Sequence, residues 1–118
     1  MNSSDYSVLR VYASTTDRIG SKTLFEYLVH KAKNDGISGV TVYRGIMGYG
    51  LSSKISSSKF WELTEKLPVT IEIIDRTEKL EEFWEKQVEE VLNKMPKGCL
   101  VIIEPVSIKL YKKGLGND

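Results

Sequence analysis

The sequence predicts an α+β fold: an antiparallel sheet with two helices on one face, its elements in the order βαββαβ. Three observations predict it. Four short stretches are rich in β-branched residues and alternate or run apolar. Two longer segments repeat apolar residues at helical spacing. Glycines, prolines and serines separate each element from the next. At 118 residues the chain is expected to form a single domain, residues 1–118, large enough to bury one core.

The first strand is expected at residues 8–12, where Val8, Arg10 and Tyr12 alternate with Leu9 and Val11. A polar connector with Asp17, Gly20 and Ser21 follows. Leu24, Leu28 and Ala32 recur at helical spacing, so residues 21–35 predict helix one, with Gly36 at its C-terminal cap. Val40, Thr41, Val42 and Tyr43 alternate as strand two. Residues 69–73, introduced by Pro68, read as strand three. Asp75 stands before Arg76, Thr77 and Glu78 as a helix start, and Leu80, Phe83, Trp84, Val88, Val91 and Leu92 mark the buried stripe of helix two. The segment from Met95 to Gly98 ends that helix. Residues 100–103 are apolar throughout, as expected of a central strand. Val106, Ile108 and Leu110 then alternate with Ser107, Lys109 and Tyr111, which suggests a further short strand.

This order is the split βαβ, ferredoxin-like arrangement. It leaves one sheet face without helices. Tyr12, Thr41, Tyr43, Thr70, Glu72 and Ile74 are expected on that face, a mixture suited to a binding surface or a subunit interface. The link between strands two and three contains LSSKISSSK, residues 51–59, with five serines and two lysines. It is too long for a tight hairpin and has little to bury, so it is expected to be a mobile binding loop re-anchored by Phe60, Trp61 and Leu63.

Just before that link the strand-forming run dissolves into Gly45, Gly48 and Gly50. Glycine weakens a strand, but it permits a bend, a bulge or close approach of another group to the backbone.

These residues carry a resemblance. LRVY at 9–12, the Asp17-Arg18 pair, GISGVTVYRGIMGYG at 36–50 and LPVTIEIID at 67–75 resemble the family called domain of unknown function 190, over roughly residues 9–106. More distantly the chain is similar to the PII signal-transduction proteins. Gly36, Gly39, Thr41 and Val42 match their G-x-x-G-x-T-V, Gly48-Tyr49-Gly50 their G-F-G, and Leu67-Pro68 the opening of their third strand. That resemblance implies a PII-like homotrimer binding an adenine nucleotide in clefts between neighbouring subunits, at the base of the long loop. It implies a nucleotide site of Thr41, Arg44, Gly48, Tyr49, Gly50, Lys109 and Tyr111. There the glycines would leave backbone N–H groups open to phosphate oxygens, Thr41 would donate its hydroxyl, and Arg44 and Lys109 would supply charge. Tyr49 or Tyr43 would stack on the base. The segment from Asn93 to Gly98 is shorter than its PII counterpart and has one glycine, so AMP or ADP suits the chain better than a triphosphate.

The implied function is a nucleotide-sensing regulator whose loop addresses a target protein such as a transporter, channel or enzyme. A CutA-like metal-tolerance trimer is the alternative. Against it, the chain has one histidine, His30, and one cysteine, Cys99, too few for a His/Cys metal cluster. No nucleophile signature accompanies His30, which is expected at the surface, so no catalytic residues are assigned. No tightly bound cofactor is expected. A net charge of +1 gives no field for nucleic acid, and no apolar run approaches the roughly 20 residues of a membrane span. A single cysteine and no signal peptide make the cytoplasm the expected location.

Overall fold

A computed structural model describes residues 5–50, 56–57 and 66–116. Its main sheet has four strands: β1 (Tyr6–Ser14), β4 (Gly39–Arg44), β7 (Pro68–Arg76) and β8 (Leu100–Val106). They lie in the order β4-β7-β1-β8, every neighbouring pair antiparallel. Between β1 and β4 come a short hairpin, β2 (Arg18–Ile19) with β3 (Lys22–Thr23), and helix α1 (Leu24–Asn34). Two-residue strands β5 (Met47–Gly48) and β6 (Ser56–Ser57) pair with each other. A second helical segment comprises α2 (Thr77–Phe83), a π-helical turn (Trp84–Val88) and α3 (Glu89–Lys94). This is the ferredoxin-like topology expected from the element order.

The helices cover one sheet face. Leu9, Val11, Val69, Ile71 and Ile73 of the sheet pack with Leu24, Leu28 and Ala32 of α1 and with Leu80, Phe83, Val88 and Leu92. A fully buried side chain such as Leu28 contributes about 1.5–3 kcal/mol relative to exposure. Phe83 and Val88 are five residues apart, a spacing that would turn one of them away from the core in a regular α-helix. The π turn, closed by a bond from the Glu89 N–H to the Trp84 carbonyl, keeps both buried.

Helix α1 starts later than its periodicity predicts. Lys22 and Thr23 are held in the hairpin, and Thr23 caps the helix by accepting from the Glu26 N–H. At the other end Gly36, with φ of 73°, donates to the Lys33 carbonyl and Ile37 to the Ala32 carbonyl, a Schellman ending.

Three expectations are corrected. The apolar strand at 100–103 is an edge strand. Leu100 is 57% exposed, and β1 and β7 occupy the centre of the sheet. An unbroken apolar run marks many carbons, but the pairing partners decide whether they are covered. Asp75 does not cap helix two. Strand β7 runs on through Arg76 because its last residues pair with Ser7 and Tyr6, so the cap position falls to Arg76. Residues 107–116 form no strand, having no neighbour to pair with among the described residues. The linker at 51–59, apart from the backbone of Ser56–Ser57, and its anchor at 60–63 lie outside the described residues.

Candidate functional site

Beyond Arg44 the chain leaves the sheet and folds back on the start of β7. The Gly45 N–H donates to the Pro68 carbonyl at 2.7 Å. A Cβ at Gly45 would stand 3.2 Å from the Pro68 Cβ, and one at Gly48 would stand 3.1 Å from the Pro68 Cγ. Positive φ among the described residues occurs only at Gly20, Gly36 and Gly116. Gly45 and Gly48 are therefore needed for close approach to the Pro68 ring and not for a left-handed turn. The Gly45 amide is also spent on Pro68, so it is not open to a phosphate.

A valine at Gly48 is expected to push against a ring that is fixed in the sheet. Gly48→Val should lower stability by about 1–3 kcal/mol, read as a lower melting temperature. An unchanged melting temperature would mean that the segment from Gly45 to Gly48 shifts freely.

The open sheet face carries the residues expected there. Register aligns Tyr12, Thr70 and Tyr43 in one row and Arg10, Glu72 and Thr41 in the next. Sequence reading missed the centre of this face. Arg10 donates through Nε to Glu72 at 3.0 Å and through a second nitrogen to Glu104. The Tyr43 hydroxyl donates to the other Glu72 oxygen at 3.4 Å. Glu104 first, then Glu72, raise the Arg10 pKa by accepting its hydrogen bonds. The signal that could have found this network was a lone arginine inside an otherwise apolar strand.

The expected site residues fall into two groups at opposite ends of the sheet. Thr41 is exposed in mid-strand, Arg44 is exposed at the end of β4 opposite Val69, and Tyr49 is 76% exposed beyond it. Gly48 lies between them against Pro68, with Gly50 next to Tyr49. Lys109 and Tyr111 follow the end of β8. The Tyr111 ring meets Tyr6 edge to face at 6.3 Å. Tyr6 pairs with Arg76 at the far end of β7, whereas Arg44 pairs with Val69 near its start. At about 3.3 Å per residue those ends are roughly 20 Å apart, so one chain does not bring Arg44 and Lys109 together.

His30 is exposed, as expected, with the Lys22 Nζ 3.3 Å from its Nδ1. Burial first, then the Asp17 carboxylate, push the Cys99 thiol up, so it stays protonated near neutral pH. Among the described residues no three His, Cys, Asp or Glu side chains form a group that could hold a metal ion. No helix among them is long and apolar enough to cross a membrane.

Residues 6–108 match the profile of a family described as Uncharacterized ACR, domain of unknown function 190. A UPF0166 protein of Aquifex aeolicus is 39% identical over 79 residues, covering 67% of this chain and 75% of that protein. A UPF0166 protein of Methanocaldococcus jannaschii is 30% identical over 97 residues, covering 82% and 86%. In architecture the chain is similar to CPII, a nitrogen regulatory PII-like protein from Thiomonas intermedia K12 solved with ADP, AMP and bicarbonate. The TM-score is 0.59 at 13% identity, over 87% of this chain and 89% of that one. The fold is thus PII-like.

Proposed function

We propose that this chain, which belongs to the domain of unknown function 190 family, is a regulatory protein that binds AMP or ADP and signals through the segment between β5 and β7. The observation that carries the reading is the PII-like fold, shared with a protein solved with adenine nucleotides, together with cationic and aromatic side chains at the root of that segment. Arg44 and Lys109 bind phosphate oxygens, Thr41 donates its hydroxyl and Tyr49 stacks on the base. The Gly48 and Gly50 backbone lets the phosphate come close. Because the two groups of residues lie roughly 20 Å apart in one chain, the cleft forms between neighbouring copies of a homotrimer, with Arg44 from one and Lys109 from the next. Nucleotide changes the loop only as far as it binds its two states differently, and the loop then meets a target protein. The chain itself carries out no reaction.

Thermal melting with AMP, ADP, ATP and a cyclic nucleotide tests this, with sedimentation for the trimer. A ligand at 100 times its Kd is expected to add about 2.7 kcal/mol of stability. Arg44→Ala and Lys109→Ala should each weaken binding by roughly tenfold or more, the loss of one charge-assisted bond, and leave the assembly intact. No shift with any nucleotide, or a monomer at micromolar concentration, would overturn the reading.

A further inference from the structure

The β2–β3 hairpin stands beside α1 and leaves a groove of about 470 Å³. Tyr27, His30, Lys31 and Asn34 line it from the helix, at the spacing that places them on one face. The Gly20–Ser21 turn and Lys22 line it from the hairpin. No carboxylate is among the lining residues. Glu26, on the same helix, is held by the Thr23 hydroxyl at 3.0 Å. Asp17 and Asp35 flank the hairpin and the helix end in the sequence, and neither lines the groove.

Among the described residues, neither groove ammonium is paired with a carboxylate. The Lys22 Nζ lies 3.3 Å from His30 Nδ1, and the Lys31 Nζ lies 5.6 Å from the centroid of the Tyr27 ring. A lysine ammonium only donates, so a hydrogen bond in this contact needs Nδ1 as its acceptor. Two ammonium groups thus line one concavity with no carboxylate partner among the described residues. Lysines are point charges with rotatable donors and suit a tetrahedral phosphate. No arginine is in the lining, and Arg18 of the same hairpin donates to the Ser21 carbonyl. The volume exceeds that of a bare phosphate and falls in the usual range of small-molecule sites, about 300–1,000 Å³. We propose that this groove is a second ligand site, for a phosphate monoester of sugar-phosphate size. Lys22 and Lys31 hold the phosphate, and Tyr27 and Asn34 contact the body of the ligand. Binding draws Lys22 off His30, whose ring then reports occupancy.

The test is an NMR titration of the nitrogen-labelled protein with glucose 6-phosphate, inorganic phosphate and glucose, in phosphate-free buffer at low ionic strength. Both phosphates are expected to shift the His30 Nδ1 signal and the amides of Gly20, Ser21 and Asn34, with the ester binding more tightly and glucose doing nothing. Lys22→Met and Lys31→Met should each weaken this by roughly tenfold, the loss of one charge-assisted bond at a partly screened site. The melting shift with ADP, whose diphosphate is not a monoester, should be unchanged in both. The proposal fails if neither phosphate moves these signals at millimolar concentration. It also fails if both methionine variants bind as the parent does, or if Arg44→Ala abolishes the response, which would put the phosphate at the nucleotide site.

Discussion

Chains carrying Arg44→Ala and chains carrying Lys109→Ala are expected to bind AMP or ADP when co-assembled, although each alone binds far more weakly than the parent. The expectation rests on distance. Arg44 stands beside Val69 at one end of β7, while Lys109 lies between the end of β8 and Tyr111, beside Tyr6 at the other. Side chains roughly 20 Å apart along a rigid sheet cannot grip one phosphate group. If the clefts are shared as proposed, each takes one residue from each neighbour, so random mixing would leave about a quarter of them with both native residues. The readout is the fraction of clefts filled at a nucleotide concentration near the parent's Kd after the two variants are refolded together. A mixture that binds no better than its separate components would remove the shared cleft and the placement of the site with it.

Asp75→Ala is expected to cost about 1–3 kcal/mol of stability, since two backbone donors lose a buried carboxylate acceptor at once. Asp75 is only 4% exposed. One of its oxygens accepts from the Ser38 N–H at 2.9 Å and the other from the Arg76 N–H at 2.6 Å. Lys79 stands 3.7 Å from the first oxygen and donates to the Gly36 carbonyl at 2.8 Å. The carboxylate therefore ties the turn after α1 to the junction of β7 and α2, and it fixes where β4 enters the sheet. Asp75→Asn keeps one carbonyl acceptor and should lose less. Urea unfolding measures this as a lower midpoint at constant slope. A midpoint equal to the parent's would show that water replaces the carboxylate at both amides.

Much of this molecule was legible in its residues, and the misses have specific causes. Alternation located β1, β4 and β7, because a strand half-buried on one face must alternate. The spacing of Leu24, Leu28 and Ala32 located α1 for the corresponding helical reason. The β2–β3 hairpin reads as a polar connector in the sequence, although Gly20-Ser21 between paired residues is a two-residue turn with glycine first, a known hairpin signal. For the candidate site, the kinds of residue at the loop root were readable, but the distance between them was not.

The order and type of the elements, the family likeness and the mixed composition of the open face can be read along the chain. Each of these depends on neighbours a few residues away, through backbone geometry and side-chain periodicity. The folded structure adds that β8 lies at an edge and that Asp75 is a buried joint. It also showed Gly45 and Gly48 resting on Pro68, Arg10 held between Glu72 and Glu104, and Arg44 and Lys109 at opposite ends of the sheet. Those facts follow from strand order and register. They are set by pairing residues far apart in the chain, and no local pattern encodes which strand will be the neighbour.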